Sequence, residues 1–213
     1  MGPLGTEACM HYPHRQTPWT GQGRAAQHSG DIRAQNYKDL AQELDALLTG
    51  EVNFVACAAN AAAAIFHSLP DLNWAGFYFL SDGMLVLGPF QGRPACVRIP
   101  LGSGVCGTAA AERRSVLVPD VTAFPSHIAC DTASRSELVL PLIHEGILIG
   151  VMDLDSPLLA RFDAQDQSGC ELLAKIVARH LHPSFPSTLT RPENGSADAH
   201  PGGSARDRDL KIR

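Results

Sequence analysis

Of the six cysteines, at positions 9, 57, 96, 106, 130 and 170, three fall close together: Cys96, Cys106 and Cys130, in segments that read as loops or element ends. A thiolate is the nucleophile of sulfur chemistry, and the sulfenic acid it leaves must be captured by a second thiol before it over-oxidises. A set of three thiols meets that requirement. No Cys-x-x-Cys pair occurs, which removes support for a zinc ribbon or a thioredoxin-type dithiol. His127-x-x-Cys130 offers zinc too few ligands at too loose a spacing, so no bound metal is expected. Cys106 stands where a short helix should start, a place where the helix macrodipole favours a thiolate.

The acids supply a second cluster. Asp153 and Asp155 are two apart in a strand-like run and point to one side, and Glu137 opens the run expected to pair with it. Among Val151, Met152 and Leu154 such acids repel unless a cation or a shared proton relieves them. Trp74 and Tyr78, four apart in another strand-like run, share a face and can wall an apolar pocket. Thiols, acids and rings together suit a small ligand with an apolar side chain and an ammonium group.

These side chains need a scaffold. Tyr37, Leu40, Ala41, Leu44, Leu47 and Leu48 recur at helical spacing up to Gly50, and Phe54 to Leu69 forms a second helix closed by Pro70. Strand-like runs follow at 74–80, 84–87, 96–100, 115–118, 137–143 and 147–155, the last two joined by Glu145-Gly146 as an antiparallel hairpin. Asp163 with Asp166 starts a closing helix that buries Cys170, Leu173, Val177 and Leu181. The fold expected is α+β: an antiparallel sheet of about six strands flanked by helices. Gly102-Ser103-Gly104-Val105-Cys106-Gly107 imitates a dinucleotide loop, but no alternating βαβ pattern surrounds it.

At 213 residues, 45% apolar and 18% charged, the chain is too hydrophobic to be mostly disordered. No window approaches eighteen consecutive apolar residues and no secretory core opens the sequence, so a soluble, intracellular, cytoplasmic protein is expected, with no membrane partner. Residues 1–30 and 183–213 read as disordered extensions of polar, Gly- and Pro-rich composition, leaving one domain over 31–182. That domain carries ten basic and seventeen acidic residues, so the formal −5 of the chain becomes −7 there. Nucleic acid is thereby excluded as the main partner.

Five motifs, Asn73-Trp74-Ala75-Gly76-Phe77-Tyr78, Leu87-Gly88-Pro89-Phe90-Gln91-Gly92, Gly104-Val105-Cys106-Gly107, His127-Ile128-Ala129-Cys130-Asp131 and Gly150 through Pro157, together resemble the free methionine-(R)-sulfoxide reductase family, over about residues 33–182. The resemblance implies a single GAF domain that reduces the free amino acid, an oxidoreductase of oxidative stress with no bound cofactor. It implies that Glu137, Asp153 and Asp155 hold the substrate ammonium and help protonate the sulfoxide oxygen, and that Trp74 and Tyr78 contact the methyl end. It further implies Cys130 as nucleophile, Cys96 as main resolver and Cys106 as alternate partner, with thioredoxin as reductant and a homodimer as a further expectation. The helix-start position of Cys106 argues for exchanging those roles, and the motifs alone leave the choice open. The rival reading is a GAF domain that binds a small molecule without turnover. Cys57 and Cys170 read as core thiols and Cys9 as incidental.

Overall fold

The computed structural model describes residues 26–125 and 132–181, with side chains from residue 31 onward. Helix α1 (Ala26–Leu48) and helix α2 (Phe54–Ser68) precede strands β1 (Trp74–Ser81), β2 (Met84–Gly92) and β3 (Arg98–Pro100). Helix α3 (Gly104–Glu112), β4 (Val116–Val118), a 3-10 turn at Val121–Ala123, β5 (Ser136–His144), β6 (Ile147–Ser156) and α4 (Ala164–Leu181) complete the chain. The strands form one six-stranded sheet in the order β3-β2-β1-β6-β5-β4, and every neighbouring pair is antiparallel. The α+β expectation holds.

Local chemistry explains the turns and caps. Glu145 and Gly146 both take positive φ, 48° and 77°, the pairing a two-residue hairpin turn requires, and they close β5 onto β6 as expected. Asp163 Oδ1 accepts from the backbone N–H groups of Gln165 and Asp166 at 2.9 Å, while Asp166 Oδ2 accepts from Asp163 N at 3.0 Å. That reciprocal box starts α4 where the sequence placed it.

Two departures matter. Helix α1 reaches back to Ala26, inside the segment read as a disordered arm; residues 1–25 and the tail from 182 on lie outside the described residues. Strand β3 begins at Arg98, so Cys96 sits in the loop before it rather than opening it. That loop follows Pro94, which has no N–H to give a ladder, and its attachment to β2 is the bond from Leu87 N to Val97 O at 3.0 Å.

The sheet has two unlike faces. Ala75, Phe77 and Phe79 of β1, Leu138, Leu140 and Leu142 of β5, and Met152 and Leu154 of β6 point to one side and pack under α1, α2 and α4. Trp74, Tyr78, Val139 and Val151 point to the other, where Val105, Cys106, Ala109 and Ala110 of α3 cover them. The alternation of β1, β5 and β6 thus sends every candidate acid and ring to the α3 side.

Candidate active site

Strand β1 aims two rings at this second face and leaves a gap between them. Gly76 fills the gap: a Cβ there would lie 2.4 Å from Phe90 Cβ and 2.7 Å from Trp74 Cη2, so only glycine fits. The result is a three-ring stack, Tyr78 on Trp74 at 5.9 Å between centroids and Trp74 on Phe90 at 5.3 Å. The Trp74 indole N–H donates to the Arg93 carbonyl at 3.1 Å, which joins the stack to the loop carrying Cys96. Phe90 was quoted in a motif but given no role by the sequence; its signal was the glycine opposite it, since Gly76 pairs with Phe90 across the β1–β2 ladder.

The acids arrive from β5 and β6. Glu137 lies opposite Asp155, Val139 opposite Asp153, and Asp153 pairs on its other side with Gly76. The expected cluster therefore forms, with Glu137 and Asp153 each 6% exposed and Asp155 half-buried. Burial first, then the charges of Asp153 and Asp155 and a hydrogen bond with Asp153, push the Glu137 carboxyl well above its ordinary range. Asp153 is also raised by burial, to about 6, against the opposing pull of hydrogen bonds from Cys106 and Glu137. Burial thus raises both carboxyls, which favours keeping a proton between them over two adjacent charges.

Cys106 reaches the same place from above. It sits in the first turn of α3, its Sγ 4.0 Å from Glu137 Oε1. The expectation that the helix start favours its thiolate is overturned: burial, and next the charges of Asp153 and Glu137, push the thiol well above its ordinary range. The magnitudes explain the outcome. A helix terminus contributes up to about 2 kcal/mol, whereas full burial shifts a group by up to about 3–5 pK units, each about 1.4 kcal/mol.

Cys96, half-buried in its loop, packs against the same cluster as Cys106 and Trp74. Cys130 and His127 lie outside the described residues. On either side of them, Phe124 packs on the second face and Ser134 is buried, its Oγ accepting from Asn73 Nδ2 at 3.0 Å. The glycine loop is not a phosphate cradle: Gly102 N–H donates to Gly107 O at 2.8 Å, Ser103 N–H to Pro100 O, and a Cβ on Gly107 would meet Pro100 O at 2.3 Å. Its glycines make a tight turn into α3.

The family model for the GAF domain matches residues 58–182, a span that contains every candidate site residue. The free methionine-R-sulfoxide reductase of Escherichia coli is 50% identical over 147 residues, covering 69% of this chain and 87% of that protein. Protein YtsP of Bacillus subtilis is 51% identical over 155 residues, 72% of this chain and 94% of its own length. Among solved structures, the free methionine-R-sulfoxide reductase of Neisseria meningitidis in complex with its substrate superposes with a TM-score of 0.69 at 42% identity, covering 73% of this chain and 93% of that one. The chain belongs to the free methionine-(R)-sulfoxide reductase family. In this reductase-family chain, Trp74, Tyr78, Cys96, Cys106, Glu137, Asp153 and Asp155 all belong to the α3 side of one sheet, brought there from five separate stretches of sequence.

Proposed function

We propose that the chain reduces free methionine-(R)-sulfoxide to methionine. The observation that carries this reading is the pair of buried carboxyls, Glu137 and Asp153, set beside the Cys106 thiol and a ring stack on one face of the sheet. A sulfoxide sulfur becomes a good target for a thiolate when its oxygen is protonated as the attack occurs, and a carboxylic acid kept neutral near pH 7 supplies that proton. Asp153 and Asp155 hold the substrate ammonium, and Trp74 and Tyr78 contact the methyl end. A residue within a protein chain lacks the ammonium and forfeits that contact.

In the first step the Cys130 thiolate attacks the sulfoxide sulfur while Glu137 protonates the oxygen. Oxygen passes to the enzyme, methionine leaves, and Cys130 becomes a sulfenic acid. The Cys96 thiol then attacks the sulfenic sulfur, forming a disulfide with loss of water, and two electrons from the dithiol of thioredoxin restore both thiols. Cys106, held as a neutral thiol, fits the alternate partner rather than the attacking thiolate. The reading extends to a cytoplasmic enzyme with a homodimer as its assembly, built on a domain that takes in helix α1 from Ala26. Among the described residues no helix is long and apolar enough to cross a membrane.

The test is NADPH consumption in a coupled thioredoxin and thioredoxin reductase system with the free R sulfoxide as substrate. Wild-type protein should turn over and Cys130→Ser should not. Unchanged turnover in Cys130→Ser removes that residue from the mechanism. An inactive wild type that binds another small molecule tightly supports the non-catalytic GAF module.

A further inference from the structure

Cys106 Sγ, a carboxylate oxygen of Glu137 and one of Asp153 lie within 4.8 Å of one another, and all three residues are buried. A thiol and two carboxylates are a donor set for a borderline-soft divalent ion, in which the sulfur selects against magnesium and calcium. Tetrahedral zinc with a sulfur at about 2.3 Å and oxygens at about 2.1 Å spaces its ligand atoms by about 3.4–3.6 Å. The Cys106 Sγ to Glu137 Oε1 separation of 4.0 Å is within a small side-chain rotation of that spacing. An independent feature points the same way: Asp153 Oδ1 is buried with no hydrogen-bond partner, the kind of orphan acceptor that a ligand completes.

We propose that Cys106, Glu137 and Asp153 bind a thiophilic divalent cation of the zinc and cadmium class, with one coordination position left for water. Two of these ligands are the acids assigned to the substrate, so the cation and the amino-acid sulfoxide exclude each other and the metal acts as a competitive inhibitor. The binding stands on the three side chains alone; the inhibition rests on the reductase reading.

Cadmium is the probe, because its bond to a thiolate gives an ultraviolet charge-transfer absorption. Titration of the reduced full-length chain should show one tight equivalent whose absorption disappears in Cys106→Ser and persists in a Cys96→Ser/Cys130→Ser double variant. Asp153→Asn and Glu137→Gln, checked for folding by circular dichroism, should each weaken binding by more than about tenfold. An unchanged absorption and affinity in Cys106→Ser, or an Asp153→Asn variant that is folded and binds as wild type, overturns the site. A cadmium site that forms as described but is not displaced by free methionine sulfoxide keeps the binding and overturns only the inhibition.

Discussion

Replacing Glu137 with glutamine changes one property at a time. Glutamine keeps the shape of the side chain and an N–H to donate toward Asp153, but has no acidic proton to give. If Glu137 protonates the sulfoxide oxygen, kcat/KM falls by about 10²–10⁴-fold, equivalent to about 3–5 kcal/mol of transition-state stabilisation. The same substitution has the opposite effect on folding. Burial and the neighbouring acids raise the Glu137 pKa above its ordinary 4.5, so the folded state binds the proton more tightly than the unfolded state does. That contribution is fully present below the unfolded pKa and is lost as pH rises toward the folded one, at about 1.4 kcal/mol per unit of elevation. Glutamine cannot ionise and loses nothing. Urea unfolding of the two proteins should therefore give nearly equal stabilities near pH 4 and a gap in favour of Glu137→Gln that widens toward pH 8. A gap that is constant with pH refutes the protonated acid, and a variant with full kcat/KM refutes its catalytic use.

Two further substitutions probe the supports of the site. Gly76→Ala drives a methyl group into Phe90 and Trp74, so it should cost about 1–3 kcal/mol and raise KM by displacing the ring stack, measured by thermal unfolding and steady-state kinetics. Asp163→Ala removes the acceptor of two backbone N–H groups at the start of α4 and should cost about 0.5–2 kcal/mol with kcat unchanged, since α4 packs on the opposite face of the sheet.

What was legible in the sequence was whatever a short-range rule fixes. Period-two alternation put Trp74 and Tyr78 on one face and Asp153 and Asp155 on one face, and the Glu145-Gly146 turn joined β5 to β6, but the turn's own register would set Glu137 opposite Leu154; a one-residue shift between Leu142 and Ile143, with no signal in the sequence, brings Glu137 opposite Asp155. Depth of burial was not legible, because it depends on what another part of the chain lays over the face. Cys106 looked activated from its place at a helix start, and only the packing of α3 onto β5 and β6 reveals a thiol sealed against two carboxylates. Cys96 was assigned to a strand because Val97, Arg98 and Ile99 continue the run, yet pairing with β2 holds only from Arg98. The role of Phe90 was hidden for the same reason: a stacked ring is a relation between two strands.

The division of labour between the faces explains how the chain tolerates acids in its interior. Burying carboxylates costs several kcal/mol each even after relaxation, against a net stability of only about 5–15 kcal/mol for a typical domain. Helices α1, α2 and α4 seal the other face with an apolar cluster running from Tyr37 to Leu181, where the polar ties, such as Tyr37 Oη donating to Asp166 at 2.9 Å and Arg161 to the same carboxylate at 3.0 Å, are paired at its edge. The α3 face instead interleaves a smaller apolar set with Glu137, Asp153 and a buried thiol. Burial raises both carboxyls and so disfavours two charges side by side, and antiparallel pairing on both sides of β6 fixes the backbone that holds them. A site under such electrostatic tension gains most from a ligand that brings positive charge and accepts a proton, which is the chemistry of an amino-acid sulfoxide.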